Sequence, residues 1–407
     1  MGPSVTEETR ETANNGTFHP VPCPSGEEIE MKHVKRALLC GGIALAVAST
    51  ASAETYRFSS WNAPTEPTTQ ANDQFIKDLE AATNGDITFQ HFTGGAIMPP
   101  KSHLQGIGDG VAQIGQTTVG YTPSDLPINA SIAGFGFIEP DPIAIGAAYA
   151  DWIMHDPAAQ AEWHGHNVIP MAGFSTPEYS LMCNTAEPVT ELEHMKGLKV
   201  RAYGLIGALV TDLGGVPVGM PASEAYQALQ TGALDCASLS ANWLRDGNLQ
   251  EVSNSTTLTR WTPAFNSPQM TINKDWWMGL TDEQRGIIFE LAARTQARAH
   301  IMYAESASSA LANALETGQT IEVEPADSLQ NAVQAWIDNG VGDMIGIARD
   351  TYKIENPQAV FDSFEPYVTK WGALVDGLND RNDEEELTKL LLDNMFNDLE
   401  PSSYGMN

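Results

Sequence analysis

The sequence predicts an α/β fold of two lobes joined by a hinge of several strands. Three observations predict it. Strand-like and helix-like stretches alternate twice over, once before residue 178 and again after it, a pattern that implies sheets covered by helices. Chain crossings between the two units fall near residues 178, 265 and 320. The 407 residues, 42% of them hydrophobic, supply enough core for two compact units.

The first unit opens with Tyr56-Arg57-Phe58-Ser59-Ser60-Trp61, an alternating strand. Residues 69–83 then place Ala71, Phe75, Leu79 and Ala82 on one helical face, which Gly85 ends. Residues 87–92 resume strand alternation, 101–109 read as a short helix, and 111–115 as a short buried strand. That β-α-β-α-β order implies a parallel sheet. The second unit begins with a strand over 179–184 and continues with the Val200-Arg201 strand, a helix over 206–213, and Val216-Pro217-Val218 as an edge element. A helix over 222–230 and a strand over 234–239 complete it. Residues 270–273 read as a strand returning to the first unit. Thr281 to Ser309 is one long helical pattern, opened by the cap Thr281-Asp282-Glu283-Gln284. Beyond it come a strand at 321–323, helices over 328–339 and 341–352, and a helical stretch through Leu391. The expected organisation is 54–178 with 265–320 as lobe I, 179–264 with 321–380 as lobe II, and 381–407 as a C-terminal acidic tail.

Residues 31–53 carry Lys32, Lys35 and Arg36, an apolar core from Ala37 to Val47, and then Ser49-Thr50-Ala51-Ser52-Ala53 with the small-x-small ending that suits signal peptidase. The core is too short for a membrane span, which needs about 20 apolar residues. Cleavage after Ala53 and export are expected, with residues 1–30 a non-native extension ahead of a start at Met31. Cys40 sits at the start of the apolar core, where the large Leu39 before it argues against a lipid anchor.

Acidic residues number 52 against 21 basic, a formal net charge of -31, so nucleic acid and anionic membranes are poor partners. Excess acid of this kind also serves solubility in a salty medium, where charges are screened beyond about 3 to 8 Å. Cys183 and Cys236 remain after cleavage, either as one disulfide or as two small buried residues. Against this background Arg201 stands out as the only arginine between Arg57 and Arg245. Two readings explain it: an internal Asp or Glu partner, or an anionic ligand.

The residues around it carry a resemblance. Met195-Lys196-Gly197-Leu198-Lys199-Val200-Arg201, Gly214-Gly215-Val216-Pro217-Val218, the run from Met220 to Asp235 through Glu224-Ala225-Tyr226-Gln227-Ala228-Leu229-Gln230-Thr231-Gly232, and Ile272-Asn273-Lys274-Asp275-Trp276-Trp277 are similar to the solute receptors of tripartite ATP-independent periplasmic (TRAP) transporters, the dicarboxylate-receptor type. The resemblance extends from Glu54 to about Asp380. It implies a two-lobed periplasmic binding protein, type II-like, with a long bridging helix and closure over a small organic acid. It also implies delivery to small and large permease subunits driven by an ion gradient, in the periplasm, with no cofactor and no enzyme activity. Arg201 then matches the arginine that holds the ligand carboxylate bidentately, a geometry that a planar guanidinium suits.

This sequence departs from that pattern at two places. Where several sugar-acid receptors carry a second arginine, it has Pro177-Glu178-Tyr179-Ser180, so Tyr179 offers a hydroxyl and a ring instead and a monocarboxylate is favoured. After Asp235 it has Cys236-Ala237-Ser238-Leu239-Ser240-Ala241-Asn242-Trp243. The alternation of Ser238, Ser240 and Asn242 aims all three at the cleft, and Trp243 is either its aromatic wall or core packing. On lobe I, Trp61 and Asn62 follow the first strand, and Gln116, Thr117 and Thr118 the third, the ends at which parallel sheets receive ligands. Phe174 and Ser175 either line the cleft or pack the hinge.

Competing classes have less support. No Gly-x-Ser-x-Gly elbow, His-Glu-x-x-His pair or phosphate loop argues for a secreted hydrolase. His155, His164 and His166 lack carboxylate or cysteine companions at metal-ligand spacing, and residues 380–386 lack the glycine and final acid of a calcium loop. A receptor feeding a sensor kinase is the alternative to transport, and Trp276-Trp277 suits either lobe packing or a partner-facing surface.

Overall fold

The computed structural model describes residues 55–406. The expected extension, signal peptide and Cys40 lie outside the described residues.

Two mixed sheets organise the chain. The first has the order β2-β1-β3-β10-β4, from β1 (Thr55–Ser59), β2 (Thr88–Phe92), β3 (Ile114–Gly115), β4 (Val168–Met171) and β10 (Met270–Asn273). The second has the order β11-β9-β5-β8-β6-β7, from β5 (Ser180–Cys183), β6 (Lys199–Arg201), β7 (Val216–Val218), β8 (Cys236–Leu239), β9 (Ser255–Thr257) and β11 (Ile321–Val323). Neither sheet is purely parallel as expected. β1 runs parallel to β2 and β3, whereas β10 is antiparallel to both β3 and β4. Strands that return from the other lobe enter a sheet from its opposite end, so the crossings that make a hinge also make the sheets mixed.

Cys183 and Cys236 face one another across β5 and β8, Cα atoms 4.0 Å apart, and form a disulfide. The strand expected over 111–115 shortens to two residues because Gly110 (φ +75°) turns the chain just before it. Asp282–Glu316 is a single 35-residue helix whose Thr281 and Gln284 form a reciprocal capping box. The two helices expected over 328–352 are one, Asp327–Asp350.

The segment from Pro357 onward also departs from expectation. The helix Pro357–Asp376 packs on the helix Pro142–His155 of the first lobe rather than on the second. Trp371 Nε1 donates to Asp151 at 2.8 Å, Lys370 pairs with the same carboxylate at 2.7 Å, and Phe364 fits edge-on between Phe135 and Trp152. Residues 381–407 are no loose acidic tail. Asp383 caps the helix Glu384–Asn394, Glu384 pairs with Arg298 of the long helix at 2.7 Å, and the buried Tyr404 donates to Pro170 O at 2.7 Å. Trp277 is packing, its Nε1 donating to Tyr404 O, and Trp276 lies edge-on to Tyr56 and Phe89.

Candidate ligand-binding site

Arg201 ends β6, between the parallel neighbours β7 and β8, so its side chain leaves the sheet at a carboxyl edge. It is 1% exposed. Nε donates to Met220 O at 3.1 Å, Nη1 to Ser238 O at 3.2 Å, and Nη2 reaches the Tyr121 hydroxyl at 3.5 Å. The Tyr203 ring lies against the guanidinium, 4.8 Å from Cζ to its centroid, and Tyr179 lines the same cavity. Among the described residues no carboxylate lies within ion-pair distance of Arg201. Burial pushes the Tyr121 and Tyr179 hydroxyls well up, so both stay protonated and neutral at physiological pH. The charge therefore has hydrogen-bond partners and no counter-charge.

Tyr121 comes from the first lobe, in a turn that follows β3, and its hydroxyl also accepts the Ala222 N–H at 3.0 Å on the second. Trp61, after β1, lies nearly parallel to Trp243 of the second lobe, 6.5 Å between centroids and 13° between planes. The lobes thus meet across the cleft. The cavity between them is narrow and partly open to solvent, and is lined by Arg201 and by aromatic residues from both sides.

Of the residues singled out from sequence, the structure brings Arg201, Tyr179, Trp243, Trp61, Asn62, Thr118 and Phe174 to this cavity. Trp61 Nε1 and Asn62 Oδ1 are buried there without a hydrogen-bond partner. Six others point elsewhere. Leu239 lines the cavity, and in a pleated strand that sends Ser238 to the opposite face, leaving only its carbonyl for Arg201. Ser240 donates to Asn242 at 2.6 Å, and Asn242 donates to Asp246 at 3.1 Å, so both organise the turn into the helix Trp243–Asp246. Gln116 donates to Thr68 at 2.5 Å, Thr117 is buried off the cavity, and Ser175 donates to Pro142 O at the hinge.

Sequence reasoning missed Tyr121, Tyr203, Asn266, Ser267 and Tyr303. Tyr203 was within reach, since it follows Arg201 by two residues and an extended chain returns to the same face at that spacing. Tyr303 sits mid-helix, stacked on Phe174 (6.1 Å, 13°), with its hydroxyl donating to the buried Glu66. Burial raises the Glu66 carboxyl to about 7, against hydrogen bonds from Thr68, Tyr303 and the Thr69 N–H.

One constellation imitates an enzyme. Ser60 Oγ lies 2.8 Å from His91 Nε2, and His91 Nδ1 lies 2.7 Å from Asp73. Ser60 is fully buried and outside the cavity lining, so this chain of bonds ties β1 to β2 and to the helix Pro67–Ala82 and offers no nucleophile to a substrate.

Residues 58–339, well over half the chain, match the family described as bacterial extracellular solute-binding protein, family 7. The chain belongs to that family. This family-7 solute-binding protein is 25% identical over 320 residues to a solute-binding protein of Chromohalobacter salexigens, covering 76% of this chain and 91% of that one. It is also 25% identical over 229 residues to the ectoine-binding periplasmic protein TeaA of Halomonas elongata, covering 55% and 63%. Its fold is similar to that of a marine metagenome TRAP solute-binding protein specific for aromatic acid ligands, solved with 3-hydroxybenzoate (TM-score 0.68, 19% identity, 78% and 98% coverage). The TRAP receptor family and the two-lobed fold inferred from the motifs are those of these relatives. Among the described residues no helix is long and apolar enough to cross a membrane.

Proposed function

We propose that this receptor binds a compact monocarboxylic acid in the periplasm, through a bidentate Arg201–carboxylate pair, and delivers it to the small and large subunits of a TRAP permease. One observation carries the reading: a fully buried guanidinium ringed by neutral phenols, with no carboxylate beside it. A buried charge without a counter-charge is costly, and a bound anion removes that cost. The second arginine that a doubly charged acid would want is missing from the cavity lining, whereas flat aromatic surfaces are plentiful. Relatives named for ectoine and for aromatic acids support a small acid with a planar or ring-shaped body.

Binding and closure are one event in this account. Arg201 belongs to the second lobe and Tyr121 and Trp61 to the first, so a ligand touching all three favours the closed form by as much as it binds that form better. A thermal-shift screen against a library of organic acids tests the proposal. A monocarboxylate at about 100 times its dissociation constant adds about 2.7 kcal/mol of stability. If only uncharged compounds stabilised the protein, the carboxylate reading would be wrong.

A further inference from the structure

Behind the ring of Tyr203 lies a second, narrow pocket that is partly open to solvent. Its walls are largely apolar, with Ala130, Ala133, Phe137, Leu205, Ile206 and Phe265 among them. The two cavities share Tyr203, Ala264 and Asn266 in their linings, and of these Tyr203 has by far the largest side chain. Three contacts hold its ring in that position. Arg201 lies against it at 4.8 Å, and Tyr121 meets it edge-on, 5.7 Å between centroids at 71°. The third is Gly120, where a Cβ would sit 2.1 Å from Tyr203 Cε2, so the ring packs directly on a backbone that has no side chain.

We infer that Tyr203 sets the length of the acid this receptor accepts. The inference rests on the Arg201 anchor proposed above. With the ring in place, an acid whose carboxylate sits on Arg201 must end within the first cavity. Removing the ring vacates its own volume and joins the two pockets, and an acid carrying an aryl or alkyl extension then places that extension in the vacated space, against the apolar walls beyond. Arg201 recognises the charged end, and Tyr203 excludes the long body. The hydroxyl of Tyr203 has no part in this; the volume of its ring does the selecting.

The test is calorimetric titration of 5-phenylpentanoate into the wild type, Tyr203→Phe, Tyr203→Ala and the double variant Tyr203→Ala/Arg201→Ala, each checked for cooperative thermal unfolding. Tyr203→Ala is expected to bind roughly tenfold or more tighter than the wild type, the scale on which added methylenes register in an apolar pocket. Tyr203→Phe, which keeps the ring, is expected to show none of this gain. Equal affinity in the wild type and Tyr203→Ala overturns the inference, as does a Tyr203→Phe variant that behaves like Tyr203→Ala. Should Tyr203→Ala fail to fold, Tyr203→Val carries the same comparison. The gain is expected to vanish in the double variant; a gain that survived there would leave the length role standing and remove the carboxylate anchor instead.

Discussion

Arg201 and Arg285 are buried almost equally, at 1% and 4% exposure, and are satisfied in opposite ways. Arg285, in the first turn of the long helix, donates to Pro401 O at 2.6 Å, to Leu280 O at 2.7 Å and to Trp277 O at 3.2 Å, and pairs with Asp282 at 2.5 Å. It has both hydrogen bonds and a counter-charge, and it fastens the C-terminal segment to the first lobe. Arg201 has the hydrogen bonds alone. Glu66 shows a third outcome: buried without a cation, it moves toward its neutral form. An arginine has no such escape, because its guanidinium stays protonated. Burial of charge is therefore common to structural and binding roles, and the missing counter-charge separates them.

Substitutions can break this contrast. Arg201→Ala should lower affinity for the bound acid by at least about thirtyfold, since truncating one partner of a buried charge pair costs about 2–5 kcal/mol, and the protein should still unfold cooperatively. Arg285→Ala should do the reverse. Three carbonyls, those of Trp277 and Leu280 buried, lose their donor, so urea denaturation should show a loss of about 3 kcal/mol, with acid affinity of the folded protein unchanged.

Glu66 sharpens the contrast through pH. Its folded value, about 7, lies above the ordinary 4.5, so the folded state binds the proton more tightly than the unfolded state does. Stability from this group is fully present below about 4.5 and is lost as pH rises through about 7, a fall of up to about 3 kcal/mol. Denaturation midpoints of Glu66→Gln across that range should show a flatter profile; an unchanged slope would remove Glu66 as its source. Tyr121→Phe should have the smallest effect. Losing the hydroxyl that joins Ala222 and Arg201 to the first lobe should weaken binding by about 1 kcal/mol, and small-angle scattering should show a larger open population.

Much of the architecture was legible because it rests on periodicity. The long helix announced itself by its cap, and the returning strand at 270–273 by its place after the second unit. The mixed sheets and the docking of Pro357–Asp376 were not legible, because both are decided by which distant surfaces meet. At the site, Arg201 was found by its isolation in charge, a property of the sequence itself. Ser238 was misplaced by one residue of pleat, because period-two alternation cannot tell which of its two faces is the cleft. Ser240 and Asn242 were misplaced because the strand ends at Leu239 and both turn inward to build the helix start. Tyr303 and Asn266 carried no local signal at all. They join the cavity only because a helix and a crossing segment pass beside it.

The central claim is that Arg201 reads a carboxylate. Its most direct test is to titrate the acid that stabilises the protein most, alongside its primary amide, into the wild type and Arg201→Ala by calorimetry. The account predicts that the wild type binds the acid at least about thirtyfold tighter than the amide, and that this gap closes in Arg201→Ala. Equal affinities for acid and amide in the wild type, or a folded Arg201→Ala that binds the acid as the wild type does, would contradict it.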